Sequence, residues 1–216
     1  MPKPDAVSRR KFIAVGGGTS LAAFLAACGG GGDTTTMMTD TTKSESEPMK
    51  NGGESETEQF GKGDIGILNY ALTLEYLEAA FYKDVVKSGL FKGEELAVLK
   101  KFGAEEQQHV EALEGTIKKL GGKPVAKPTF NFEYGGTPEF LTLAETFENT
   151  GVSAFNGAAP MIESKEVLGA AGSIVQVEAR HAAAIALRNG QEPSPSAFDA
   201  PLDEKQVLKA VEPFIA

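Results

Sequence analysis

The sequence predicts an all-α fold: four helices packed as two hairpins in one bundle, with a short fifth helix near the C-terminus. Three observations carry this. From Gly63 onward, apolar residues recur in steps of three and four along four long stretches. Glycine or proline clusters separate those stretches. Finally, Glu and His interrupt the apolar stripes at matching places in the two halves. The segment is about 150 residues, one domain with enough chain for a sizeable core.

The first helix is predicted from Asp64, read as its N-cap, to about Lys87. Leu68, Leu72, Glu75, Ala79, Tyr82 and Val86 form one stripe along it. Ser88-Gly89 ends it and Gly93-Glu94 opens the second. There Leu96, Leu99, Phe102, Glu106, His109, Leu113, Ile117 and Leu120 share a stripe, and Gly121-Gly122 closes the helix. Residues 121–137 carry two prolines and several glycines and form a connection of 17 residues. Pro138 suits the first turn of the third helix, whose stripe is Leu141, Ala144, Glu148, Val152 and Phe155. Gly157 to Pro160 breaks it. The fourth helix runs from about Ser164 to Arg188, with Val167, Ala171, Ile174, Glu178, His181 and Ile185 on one side. Residues 191–216 have Pro193, Pro195 and Pro201 and then a short amphipathic helix over about Asp203–Val211, expected to pack over the bundle.

The N-terminal part reads as an address. Ser8-Arg9-Arg10-Lys11-Phe12-Ile13 has the paired arginines of a twin-arginine export signal, and the small apolar residues 14–27 are too few to span a bilayer. Leu25-Ala26-Ala27-Cys28-Gly29 resembles a lipobox, so residues 1–27 are expected to be removed and Cys28 lipidated. Cys28 is the only cysteine, which excludes an intrachain disulfide and a thiolate-rich metal site. Residues 28–62 are rich in Gly, Thr, Ser and Glu and are read as a flexible tether with a reach of roughly 30 Å. The expected location is therefore the extracytoplasmic side of the cell envelope, anchored by lipid. Beyond residue 27, 17 Lys and Arg face 29 Asp and Glu, a formal −12. Such a surface argues against nucleic-acid partners.

The chain has two histidines, and each stands three residues after a glutamate: Glu106-Gln107-Gln108-His109 and Glu178-Ala179-Arg180-His181. That spacing puts both side chains on one helix face, about one turn apart. The two motifs are 72 residues apart, and Glu75 and Glu148 are 73 apart. Leu74-Glu75 matches Phe147-Glu148, and Tyr82 matches Phe155, so each half reads Glu…Glu-x-x-His. Helix lengths place each hairpin's Glu level with its Glu-x-x-His at about 1.5 Å per residue. The long connection can traverse the bundle, which lets helices two and three run parallel.

One Glu each from helices one and three, with Glu-x-x-His from helices two and four, resembles the ferritin-like di-metal carboxylate proteins. The stretches Leu72–Tyr82 and Phe147–Pro160 are more narrowly similar to exported ferritin-like domain proteins, a group that includes desiccation-related proteins. The resemblance covers about residues 64–190 and implies a ferritin-like four-helix bundle over 63–190 with a C-terminal extension over 191–216. It implies metal ligands Glu75, Glu106, His109, Glu148, Glu178 and His181, with Glu106 and Glu178 bridging two ions. Two Fe ions are expected, with Mn as the alternative, since a carboxylate-rich set suits either better than Zn. The partners implied are metal ions and O2 or peroxide, in a monomer or small homo-oligomer.

Three functions fit. One is a di-iron or di-manganese oxidoreductase that oxidises iron or removes peroxide. Another is a metal-binding or stress-associated surface protein without turnover. The third is a helical scaffold whose acids pair with Lys and Arg. Tyr82, the candidate catalytic residue, is either a phenol acting beside the ligands or a core tyrosine bonded to a buried carboxylate. Glu78 and Glu145 are expected to be solvated or paired between helices, with a role as an extra metal ligand or a partner of an imidazole N–H as the alternative, and Glu105, Glu111 and Glu114 to face solvent.

Overall fold

The computed structural model describes residues 59–216. The export signal, Cys28 and the tether up to residue 58 lie outside the described residues. Five α-helices follow in order: α1 (Gly63–Ser88), α2 (Gly93–Lys119), α3 (Thr137–Ala158), α4 (Lys165–Arg188) and α5 (Glu204–Val211). Single 3-10 turns, Ala159–Met161 and Glu212–Phe214, follow α3 and α5. No described helix is long and apolar enough to cross a membrane.

The packing of α1 differs from that of its neighbours. Every residue from Gly66 to Ala79 is buried, followed by Phe81, Tyr82 and Val85. A helix apolar on all sides belongs inside a core. In contrast, α2 and α4 each bury one stripe and are polar elsewhere, with Leu99, Phe102, Val110, Leu113 and Ile117 inside on α2. Leu120, assigned to that stripe from the sequence, is 43% exposed because the helix ends before it.

Helix ends follow local chemistry. Gly89 sits at φ 75° and Gly121 at φ 80°, the left-handed conformation that stops a helix without side-chain strain. After α2 the Gly122 N–H donates to Ile117 O and the Gly121 N–H to Lys118 O, which satisfies the last carbonyls. Asp203 and Gln206 form a reciprocal capping box on α5. Asp64 departs from its expected place as an N-cap. Lys62 holds that position without a side-chain cap, and the Asp64 carboxylate accepts from the backbone N–H groups of Glu163 and Ser164 at 2.8 and 2.9 Å. A tertiary contact has taken the side chain that a local cap would use.

Those contacts also set direction. Asp64, at the start of α1, meets the turn after α3. At the other end, Phe140 near the start of α3 stacks on Phe81 near the end of α1, with centroids 4.7 Å apart. Helices α1 and α3 are therefore antiparallel, and α2 and α3 parallel. The crossover begins at Asn69 of α1, whose side chain donates to Lys123 O and accepts from the Val125 N–H. It ends near Asp84, which accepts from the Tyr134 hydroxyl, having run most of the bundle's length. Its middle is pinned by the C-terminus, where the Asn131 N–H donates to Phe214 O and the Ala216 N–H to Thr129 O. The tail also lies against α3, where the Leu202 N–H donates to Ser153 O.

Candidate metal centre

Helix periodicity alone places Glu75 on the inward face of α1, Glu106 and His109 on α2, Glu148 on α3, and Glu178 and His181 on α4. Packing brings all six together in the middle of the bundle. The four glutamates have no exposed surface, and the two histidines are also buried. The donor atoms of Glu75, Glu106, His109 and Glu178 all lie within 4.8 Å of one another, as do those of Glu106, Glu148, Glu178 and His181. Glu106 and Glu178 belong to both groups.

Both histidines turn Nδ1 inward. His109 Nδ1 lies 2.9 Å from Glu106 Oε2, 3.0 Å from Glu178 Oε1 and 3.3 Å from Glu75 Oε2. His181 Nδ1 lies 2.6 Å from Glu106 Oε1 and 3.6 Å from Glu148 Oε2. Several of these approaches are close without being aligned as hydrogen bonds. Glu75 Oε1, Glu106 Oε1, Glu148 Oε2, both oxygens of Glu178 and His181 Nδ1 are buried without a hydrogen-bond partner. Buried polar atoms are ordinarily paired, and each one that is not costs about 1–3 kcal/mol. Donor atoms that converge on shared points rather than on each other fit cations. The chemistry of the set, carboxylates with one imidazole per group and no thiolate, fits Fe or Mn.

The electrostatics agree. Burial, with Glu178 nearby, holds the Glu75 carboxyl well above the ordinary range. Burial pushes Glu148 up to about 8 against the pull of His181, and it also raises Glu178. Glu106 goes the other way. Burial opposes its charge, but contacts with His109 and His181 draw it down to about 2. The imidazoles are the other side of that bargain: despite burial, their carboxylate neighbours lift His109 to about 12 and His181 to about 11. Without cations, burial thus favours the protonated forms of Glu75, Glu148 and Glu178, while the two imidazoles hold protons beside Glu106 and favour its charge. Metal binding must expel those protons.

The surrounding residues correct three expectations. Glu105 does not simply face solvent; its side chain is 29% exposed and its carboxylate lies 3.0 Å from His181 Nε2. A carboxylate on Nε2 leaves Nδ1 of the neutral ring free as a donor toward the cluster. Glu78 is neither solvated nor paired with a cation. It is 3% exposed, and burial with the charges of Glu178, Glu148, Glu75 and Glu106 holds its carboxyl well above the ordinary range. Glu114, 31% exposed, accepts from the Tyr76 hydroxyl. Glu111 is exposed as expected. Glu145 accepts from Asn189 Nδ2 at 2.6 Å, an interhelix pair.

Tyr82 is buried and donates its hydroxyl to Glu148 Oε1. Burial and Glu148 push its phenol well above the usual range, so it remains a neutral donor. Phe155, its counterpart in the repeat, has no such group. Phe102 lies flat on His181, with centroids 4.0 Å apart, and meets Tyr82 edge-on.

The family profile described as a ferritin-like domain matches residues 63–191. Among solved structures, the fold resembles the crystal structure of a conserved hypothetical protein, rv2844, from Mycobacterium tuberculosis. The TM-score is 0.53 at 18% sequence identity, over 62% of this chain and 96% of that one. No functionally curated protein matches the chain.

Proposed function

This chain belongs to the ferritin-like domain family, and from that premise we propose that it is a lipid-anchored extracytoplasmic protein that holds two Fe or Mn ions for iron oxidation or peroxide removal. The observation that carries the reading is the split address of Glu106. One of its oxygens lies 2.9 Å from His109 Nδ1 and the other 2.6 Å from His181 Nδ1. A single carboxylate between two imidazoles suits two neighbouring cations. Glu75 with His109 and Glu148 with His181 complete the two ends, and Glu178 joins both.

A pair of redox-active ions supplies the coupled one-electron changes that reduction of O2 or peroxide requires. The protein's own residues hold and shield that pair. Glu105 orients His181, and Tyr82 fixes Glu148 through its hydroxyl. Because Phe155 replaces the phenol in the other half, only one end has a proton donor at that position. A cavity of about 370 Å³ between α2 and α4 reaches Phe102, the ring that covers His181. Phe91, Leu99, Leu141 and Ile185 line it together with Glu94, Glu95 and Arg188, which supports entry of small oxidants from that side.

The location rests on Arg9-Arg10 and on Leu25-Ala26-Ala27-Cys28. A twin-arginine route carries folded proteins, so the ions would be loaded before export. Two experiments test the proposal. Anaerobic Fe(II)-loaded or Mn(II)-loaded protein is mixed with O2 or peroxide and oxidant consumption is followed; bound metal without consumption would leave a metal-holding surface protein in place of an oxidoreductase. In cells, Arg9→Lys with Arg10→Lys is expected to block export, and Cys28→Ser to release the protein from membranes. Unchanged fractionation of both variants would refute the anchor.

A further inference from the structure

The internal repeat is broken at one place inside the centre. At the 73-residue offset that pairs Glu75 with Glu148, the segment Glu75-Tyr76-Leu77-Glu78 of α1 aligns with Glu148-Asn149-Thr150-Gly151 of α3. The counterpart of Glu78 is Gly151. The structure places the two against each other. A Cβ at position 151 would lie 3.0 Å from Glu78 Oε1, 3.7 Å from Glu78 Oε2 and 3.5 Å from Glu178 Oε2. The carboxylate of one half therefore occupies the volume that its counterpart leaves empty. Even alanine would crowd it, and two glutamates would collide.

This geometry puts the head group of Glu78 where the two hairpins face each other. Glu178 Oε2 faces the same point, and Glu78 itself is 3% exposed. Glu178 Oε2, on the Gly151 side, is buried without a hydrogen-bond partner. A buried carboxylate beside a second buried carboxylate is costly in a helix bundle that has no further use for it. We propose that Glu78 is a fifth carboxylate ligand of the metal centre, set between its two halves, and that Gly151 is glycine in order to admit it. The two ends of the centre are then chemically unlike. Five carboxylates also carry one more negative charge than two divalent ions neutralise, which favours a pair holding one additional positive charge.

The inference rests on the metal reading above, and one titration separates the two. The metal-free full chain, Glu78→Gln, Gly151→Ala and the distant control Glu145→Gln are titrated anaerobically with Co(II), following stoichiometry and the visible ligand-field bands. Wild type and Glu145→Gln are expected to take up two equivalents. Glu78→Gln should weaken at least one equivalent by about 10–100-fold and alter the bands. Gly151→Ala, whose methyl displaces the Glu78 head group, should move both readouts in the same direction. Thermal unfolding of metal-free Glu78→Gln should occur no lower than wild type, which separates lost ligation from lost folding. Wild-type affinities and bands in both variants, with two equivalents bound by wild type, would overturn the role of Glu78 alone. No uptake by wild type would overturn the metal reading as well.

Discussion

Glu106→Gln keeps the shape of the side chain and removes a buried charge that His109 and His181 stabilise. Contacts with His109 and His181 draw the Glu106 carboxyl from 4.5 to about 2, against the effect of burial. A shift of that size, at about 1.4 kcal/mol per pH unit, corresponds to about 3 kcal/mol. The same interaction underlies the raised histidines, so it is counted once. A carboxyl depressed in the folded state contributes stability that is present above its unfolded value near 4.5 and lost as pH falls through its folded value near 2. Metal-free Glu106→Gln is therefore expected to lose about 3 kcal/mol at pH 7, with the gap falling to about half by pH 3. Urea denaturation with chelator present, across that pH range, measures it. A wild-type midpoint at pH 7, or a gap that stays constant on acidification, would refute stabilisation of the Glu106 charge by His109 and His181.

Glu148→Gln is expected to act with the opposite sign. Burial raises Glu148 to about 8 in the folded state, so its stabilising contribution is present below pH 4.5 and lost as pH rises through 8. The variant should be more stable than metal-free wild type at pH 9 by a few kcal/mol in the same denaturation assay, and should bind metal more weakly. Glu105→Ala leaves His181 Nε2 without its carboxylate and should reduce metal affinity about 10–100-fold in a competition titration, with little change in metal-free stability. Gly157→Ala tests the fold away from the site. Its Cβ would lie 1.9 Å from Leu202 O, so the tail must shift off α3, and a loss of about 1–3 kcal/mol is expected by thermal unfolding.

The parts of this fold legible in the sequence are those that depend on one helix at a time. Spacing within a helix places Glu106 with His109 and Glu178 with His181, and the 73-residue offset adds Glu75 and Glu148. Helix ends at Gly89, Gly121 and Ser164 follow from local backbone chemistry. The residues that read differently depend on a neighbouring helix. Glu105 precedes Glu106 by only one step, so its own helix turns it away from the cluster; α4 brings His181 to it. Asp64 has the residue type of a cap, but the turn before α4 reaches it first. Glu78 sits among apolar residues on α1, and its burial becomes clear only once α3 supplies a glycine opposite. The clue was available at the repeat offset, where a glutamate and a glycine occupy equivalent places.

Metal content of the purified full chain tests the central claim most directly. After aerobic loading with Fe(II) or Mn(II) and removal of excess ion, elemental analysis is expected to find two ions per chain, and none in a Glu106→Ala, Glu178→Ala double variant that still folds. A wild-type content near zero, or wild-type content retained by that variant, would contradict the assignment of the six-residue cluster as a dinuclear centre.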